Sequence, residues 1–94
     1  MLLLTEPQIY EFLDTVQWRT YENGVLKTTY EFEWFLEAIN FINDLVPVCE
    51  VLGHHPDILI RYNEVTMMTT THEMQGQITD TDIELVRAIE QLLV

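Results

Sequence analysis

Basic residues are scarce in this 94-residue chain, which has four lysine and arginine residues against sixteen aspartate and glutamate residues. The resulting formal charge of −12 would repel a phosphate backbone, so direct nucleic-acid binding is not expected. Cys49 is the only cysteine, which excludes an internal disulfide and favours a reduced core residue. The start, MLLLTEP, is too short an apolar run for a signal peptide or a membrane span. We therefore expect a cytoplasmic protein without a membrane partner.

Apolar residues, in contrast, are plentiful. The chain is 48% hydrophobic and 11% aromatic, so it can bury a core and is not expected to be disordered. Its length suffices for one core but not for two, and no repeat, low-complexity tract or linker divides it. Residues 1–94 are therefore predicted to form a single domain.

Two amphipathic segments in the first half predict helices. Residues 6–16 follow Thr5, whose hydroxyl can form a capping box with Gln8. Residues 33–52 carry a long apolar stripe that Pro47 interrupts, because proline lacks a backbone donor and clashes with the previous turn. We expect a kink at Pro47, or two helical pieces.

The sequence also marks where the second helix ends and the third begins. Gly53 suits the left-handed conformation that commonly follows a helix. Thr79 is the predicted cap of the third helix, and the acidic side chains of Asp80 and Asp82 suit its first turn. The predicted buried stripe of this helix is Ile83, Val86, Ile89 and Leu93.

Four extended runs predict two β-hairpins. Asn23-Gly24 favours a tight turn in the middle of the run 18–32. Residues 58–62 resemble a third strand, Asn63-Glu64 a turn, and residues 65–71 the return strand. On that last strand one face is predicted to carry Thr66, Met68, Thr70 and His72. The order α-β-β-α-β-β-α predicts an α+β fold, with a four-stranded antiparallel sheet and helices packed on one face.

The three histidines lie at the ends of predicted elements. His54 and His55 end the long helix, and His72 ends the last strand, so the three could meet at one rim. Glu50 lies one helical turn before His54, and Asp82 opens the last helix. Such a cluster could bind a metal or transfer protons. Neighbouring side chains diverge, and neither an HExxH motif nor a cysteine cluster is present, so the metal site is the weaker interpretation.

The order of these residues resembles pterin-4a-carbinolamine dehydratase. The similarity covers about residues 18–93, and its motif reads Glu50-x-x-x-His54-His55-Pro56, Tyr62-Asn63-x-Val65, Thr71-His72-Glu73 and Thr79-x-x-Asp82-Ile83. The resemblance implies the α+β arrangement, a pterin substrate, no metal or organic cofactor, and assembly into homodimers or homotetramers.

The resemblance also implies the roles of individual residues. It makes His54, His55 and His72 the site imidazoles, with Glu50 and Asp82 as supporting carboxylates. The residues implied to bind substrate besides the imidazoles are Gly53, Thr70, Thr71 and Glu73. A 4a-hydroxytetrahydropterin loses its hydroxyl as water and its N5 proton, giving quinonoid dihydropterin. Imidazole can donate or accept a proton near neutral pH, so His54 and His72 are assigned to acid/base work and His55 to binding, with acid and base left open.

Two features depart from the family pattern. The segment between His72 and Asp82 is one residue longer than usual, so we expect a bulged loop and a displaced Asp82. Pro47 interrupts a helix that is usually continuous. Three other functions stay open: a non-enzymatic dimerisation or assembly module on the same fold, a pterin-binding protein without turnover, and a small metal-binding domain.

Overall fold

A computed structural model describes residues 1–94 and has three α-helices and one antiparallel sheet. The elements are α1 (Glu6–Leu13), β1 (Thr20–Glu22), β2 (Val25–Glu31), α2 (Phe35–Leu52), β3 (Asp57–Arg61), β4 (Glu64–Thr69), a 3₁₀ turn (His72–Met74) and α3 (Asp80–Leu92). The strands lie in the order β1-β2-β4-β3. The predicted α+β class and element order are confirmed. None of the three helices has the length and hydrophobicity needed to cross a bilayer.

The first hairpin turns at the predicted dipeptide, and the second turns one residue earlier than predicted. Asn23 and Gly24 have φ values of 53° and 76°, the positive values of a two-residue hairpin turn. In the second hairpin Arg61 pairs directly with Glu64, so the turn is Tyr62-Asn63 and not Asn63-Glu64. Tyr62 has a φ of 51°, which takes it out of the predicted strand.

Side chains alternate between a helix-covered and an open face of the sheet. On β2, Leu26 and Tyr30 are buried while Lys27 and Thr29 are exposed. On β4 the buried residues are Val65, Met67 and Thr69. Because successive strand residues point to opposite faces, the helices cover one face only, as predicted. The predicted strand to residue 71 is too long, since β4 ends at Thr69 and the chain enters the 3₁₀ turn.

The first two helices differ from their predicted lengths or shapes for identifiable reasons. The first, α1, ends at Leu13 rather than at residue 16, because the backbone there changes to i→i−3 hydrogen bonds, from Thr15 to Phe12 and from Val16 to Leu13. The Arg19 guanidinium donates to the carbonyls of Leu13 and Val16 at this end. The second, α2, continues through Pro47 as one helix, so the alternative of two helical pieces is wrong. Gly53 ends it with a φ of 66°, as predicted.

Three of the four residues predicted for the buried stripe of α3 are buried, namely Ile83, Val86 and Ile89. The fourth, Leu93, is exposed, whereas Leu85 and Asp82 are completely buried and were not predicted. The buried face of α3 therefore also includes a carboxylate. Trp18 also belongs to the core, where its indole Nε1 donates to the Tyr30 hydroxyl at 2.8 Å.

Candidate active site

The end of α2 places His54 between β4 and α3. Left-handed Gly53 turns the chain, and the His54 backbone N–H donates to the Cys49 carbonyl at 3.2 Å. The imidazole is only 11% exposed. Its Nε2 lies 2.7 Å from Asp82 Oδ1 and 3.2 Å from Thr69 Oγ1. His54 is thus held by contacts to the sheet and to the last helix.

The Asp82 carboxylate is fully buried and is surrounded by donors. Its Oδ1 accepts from Thr69 Oγ1 at 2.6 Å as well as contacting His54. Its Oδ2 accepts from Thr71 Oγ1 at 2.7 Å and from the Thr79 backbone N–H at 3.0 Å. Burying a carboxylate is costly unless it is hydrogen-bonded, and three donors besides His54 satisfy this one.

The long loop before α3 does not carry Asp82 away from the histidines. The Thr71 N–H donates to the Gln77 carbonyl at 2.9 Å, which closes the loop at its base. Between these residues the 3₁₀ turn and the left-handed Gln75 and Gly76 take up the extra length. The expected displacement of Asp82 therefore does not separate it from His54.

His55 and His72 line a second, more open part of the region. They border a cavity of about 140 Å³, whose lining residues are Val25, His55, Asp57, Met68, Thr70 and His72. Met68 and Thr70 alternate with the buried Met67 and Thr69 along the strand, so this cavity lies on the open face of the sheet. The imidazoles therefore flank the end of β4: His54 on its helix-covered side, His55 and His72 on its open side.

Glu50 lies close to His55 and not, as its spacing suggested, to His54. Its Oε2 is 3.7 Å from His55 Nε2, and the two side chains are 70% and 60% exposed. Exposed ion pairs of this length are weak. The carboxylate that orients His54 is Asp82, while Glu50 can act on His55.

The other predicted site residues are distributed around the same strand end. Thr70 lines the cavity, and its hydroxyl donates to the Gly24 carbonyl at 2.6 Å. The Thr71 side chain is buried against Asp82, so its hydroxyl faces away from solvent. Gly53 and Glu73 are exposed. Sequence reasoning missed Thr69, although threonines at 69 and 71 on one face of a strand are a signal for a hydrogen-bonded carboxylate.

Cys49 lies near these residues, and its side chain is buried and forms no disulfide. Burial, and secondarily the negative charge of Glu50, raise the pKa of the Cys49 thiol. The nucleophilic form of cysteine is the thiolate, so the raised pKa disfavours a nucleophilic role at neutral pH.

Known proteins of one family are similar to this chain over almost its whole length. The sequence profile of the family described as pterin 4 alpha carbinolamine dehydratase matches residues 2–92. A Sulfurisphaera tokodaii protein, provisionally named a pterin-4-alpha-carbinolamine dehydratase, is 41% identical over 93 residues, covering 99% of each chain. A Nostoc punctiforme protein with the same provisional name is 40% identical over 90 residues, covering 96% of each.

Two solved structures share the fold. A transcriptional coactivator/pterin dehydratase from Brucella melitensis superposes with a TM-score of 0.88 at 26% identity, covering 96% of this chain and 97% of that one. A pterin dehydratase-like protein described as a RuBisCO assembly factor in the alpha-carboxysome superposes with a TM-score of 0.67 at 17% identity, covering 80% and 87%. From the profile match and the near-full-length relatives, the chain belongs to the pterin-4a-carbinolamine dehydratase family.

Proposed function

We propose that the protein is a hydro-lyase that removes water from 4a-hydroxytetrahydropterin, giving quinonoid dihydropterin for regeneration of a pterin cofactor. The observation that carries this proposal is the set of three imidazoles at the end of β4: the buried pair of His54 and Asp82 lies on the helix-covered side, and a cavity lined by His55 and His72 lies on the open side. Family membership supports the same reaction class.

The reaction requires two proton transfers and no oxidant or reductant. One group protonates the departing 4a-hydroxyl, and another accepts the N5 proton, so the number of protons is conserved. His54 and His72 are the proposed acid/base groups, because imidazole can serve either purpose near neutral pH. His55 binds and orients the pterin ring, with the Glu50 carboxylate beside it.

The cavity on the open face offers suitable contacts for a flat heterocycle. Its apolar side chains, Val25 and Met68, can contact the ring, and Thr70 and Asp57 can bond to its heteroatoms. A substrate bound at this end of β4 would thus have His55 and His72 on the open side of the strand and His54 on the helix-covered side.

A second candidate is a non-enzymatic assembly or dimerisation module. The solved structures that share this fold include proteins described as a transcriptional coactivator and a RuBisCO assembly factor. The observation that favours it here is a cluster of exposed apolar side chains at the start of α2, namely Trp34, Phe35 and Leu36. Both roles are compatible in one protein.

Steady-state dehydration of a 4a-hydroxytetrahydropterin, measured above the spontaneous rate, tests the enzymatic proposal. We expect His54→Ala and His72→Ala each to lower kcat at least about 10-fold with modest change in KM, because acid/base groups act mainly in the transition state. His55→Ala should weaken pterin binding at least as much as it slows turnover. Treatment with a chelator should leave the rate unchanged.

The control variant is Glu64→Gln, an exposed position at the opposite end of β4. Circular dichroism should show that every variant is folded. If the His54 and His72 variants both retained the kcat of the unmodified protein, the proposed mechanism would be wrong. Pterin binding without any rate acceleration would identify a binding protein, and neither binding nor acceleration would favour the assembly module.

A further inference from the structure

Thr69 contacts both the His54 imidazole and the Asp82 carboxylate. We propose that Thr69 is a positioning residue: with Asp82 it holds neutral His54 as the tautomer with its hydrogen on Nε2, so that Nδ1 accepts the proton. The tautomer follows from the hydrogen bonds alone. Its catalytic consequence rests on the proposed dehydratase function.

A chain of hydroxyl groups fixes the direction of the hydrogen bonds on one side of Asp82. The Thr81 backbone N–H donates to Thr79 Oγ1 at 3.3 Å. Thr71 gives its single hydroxyl proton to Asp82 Oδ2, so in its 2.8 Å contact with Thr79 it must accept. The Thr79 backbone N–H also donates to Oδ2. That carboxylate oxygen therefore only accepts.

The other carboxylate oxygen and Thr69 together present only acceptors to His54. The Thr69 hydroxyl donates its one proton to Asp82 Oδ1 at 2.6 Å, so the electron pairs of Thr69 Oγ1 face His54 Nε2 at 3.2 Å. Asp82 Oδ1 itself lies 2.7 Å from Nε2. If Nε2 carried no hydrogen, three acceptor atoms would face one another without a proton between them. Nε2 therefore carries the hydrogen and donates it.

The remaining ring nitrogen is free to exchange a proton. His54 Nδ1 has no hydrogen-bond partner within the chain, yet the protein has no buried side-chain nitrogen or oxygen without a partner. Nδ1 is therefore open to solvent. A proton taken up there leaves the hydrogen bond between Nε2 and Asp82 in place. In the proposed reaction His54 would accept the N5 proton at Nδ1, and His72 would protonate the leaving hydroxyl.

Nitrogen-15 NMR of histidine-labelled protein tests the tautomer without reference to activity. At a pH where His54 is neutral, we expect Nε2 to give the protonated, pyrrole-type signal and Nδ1 the unprotonated, pyridine-type signal. The reverse pattern in the unmodified protein would overturn the inference, whether or not the protein is a dehydratase.

Asp82→Asn should switch the tautomer. The Thr79 backbone N–H can only donate, so the oxygen of the new side-chain amide should take the place of Asp82 Oδ2 beside it. The amide NH₂ then points towards His54 Nε2. His54 should then carry its hydrogen on Nδ1, and kcat should fall at least about 100-fold, since the equivalent exchange in a serine-protease triad costs about 10⁴. An unchanged nitrogen spectrum in this variant would contradict the assignment.

Substitution of Thr69 tests its own contribution. Thr69→Val should lower kcat about 10-fold with KM within about twofold, as expected for a residue that orients another. It should also raise the Nδ1–H form of His54 to a measurable fraction. Thr69→Ser keeps the hydroxyl and should restore both properties, which a purely packing role would not produce.

The matched control for Thr69 is Thr66→Val on the same strand, where Thr66 Oγ1 bonds Thr29 Oγ1 on the open face of the sheet. This variant should leave the His54 spectrum and kcat unchanged. Equal impairment of the Val and Ser variants at position 69, or an unaltered spectrum in Thr69→Val, would overturn the role of Thr69. If no dehydratase activity is found at all, the NMR results still decide the tautomer.

Discussion

The Asp82 carboxylate combines a structural and a proposed functional task in one side chain. Leaving a buried charge without its partners commonly costs about 3–5 kcal/mol, so the threonines around Asp82 contribute to stability as well as to geometry. Asp82 and Thr69 in turn hold the His54 imidazole. Substitutions here should therefore conserve side-chain size, as Asp82→Asn, Thr69→Ser and Thr69→Val do. The folding of each variant should be measured alongside its activity.

Tyr30 belongs to a second buried network, at the other end of the sheet. Its hydroxyl accepts from Trp18 Nε1 and donates to Glu90 Oε2, both at 2.8 Å. Burial, followed by the hydrogen bond to Glu90 and its negative charge, strongly raises the pKa of the Tyr30 phenol. The native state therefore keeps this proton at a pH where the unfolded chain has released it.

This difference predicts how stability depends on alkaline pH. A pKa raised in the native state contributes stability that is complete below the unfolded value of 10.0 and is lost as pH rises above it. Tyr30→Phe should cost about 1–2 kcal/mol at pH 8, because Trp18 and Glu90 lose their partner. Above pH 10 its free energy of unfolding should fall less steeply than that of the unmodified protein.

Urea denaturation at pH 8, 10 and 11 measures both effects. Tyr62→Phe is the control, since Tyr62 is exposed at a turn. In this variant the free energy of unfolding should depend on alkaline pH as it does in the unmodified protein. If the free energy of unfolding fell equally steeply above pH 10 in Tyr30→Phe and in the unmodified protein, Tyr30 would not be the group that retains its proton in the native state.

At the scale of elements, the first hairpin and the loop after β4 form one packed unit. A Cβ atom on Gly24 would lie 1.9 Å from the Gly76 carbonyl oxygen. The Thr70 hydroxyl adds a hydrogen bond to the Gly24 carbonyl at 2.6 Å. Since the loop begins with His72, the hairpin turn also sets the position of that imidazole.

Gly24→Ala should therefore be more disruptive than an ordinary glycine substitution. Gly53 provides the comparison, because its φ of 66° is similar to the 76° of Gly24 but no atom lies within 4 Å of its added Cβ. Gly53→Ala should cost about 1–2 kcal/mol from backbone conformation alone. Gly24→Ala should exceed that by at least about 1 kcal/mol, because a backbone carbonyl must move.

Chemical denaturation of the two variants measures the difference in stability. In Gly24→Ala the nitrogen-15 signals of His72 should also shift, because its loop is displaced. Equal destabilisation by the two substitutions, with unchanged His72 signals, would show that the hairpin does not hold the loop.

At the scale of the whole molecule, much apolar surface is left uncovered. Large side chains on α2 and at the residue before it are more than half exposed, including Trp34, Leu36 and Val51. Strand β3 forms one edge of the sheet, and Ile58 and Leu59 on it are exposed. An exposed apolar edge strand invites pairing with another chain.

We therefore predict that the protein forms a homodimer or a dimer of dimers. Light scattering at micromolar concentration should give at least twice the monomer mass, with little dependence on salt because the surface is apolar. Leu59→Lys should weaken association at least about 10-fold by placing a charge on the edge. Gln91→Lys, exposed on α3, should not. A salt-independent monomer in the unmodified protein would exclude this assembly.

The sequence alone determined where helices begin and where the chain turns, because caps and turns depend on residues only a few positions apart. Thr5 and Gln8 form the predicted capping box, and Thr79 caps α3 as expected. Asn23-Gly24 and Gly53 turn the chain where predicted, because their conformational preferences are intrinsic. The family motif likewise identified the histidines and Asp82 without any knowledge of their contacts.

Only the tertiary structure decided which of these groups meet. His54 and Asp82 are 28 positions apart and are brought together by β4, whose register no local spacing encodes. The same long-range packing buries Leu85 and Asp82 on α3, which the predicted stripe did not include, and leaves Leu93 exposed. Glu50 pairs with His55 because left-handed Gly53 redirects the chain after the helix, so helical spacing no longer applies beyond it.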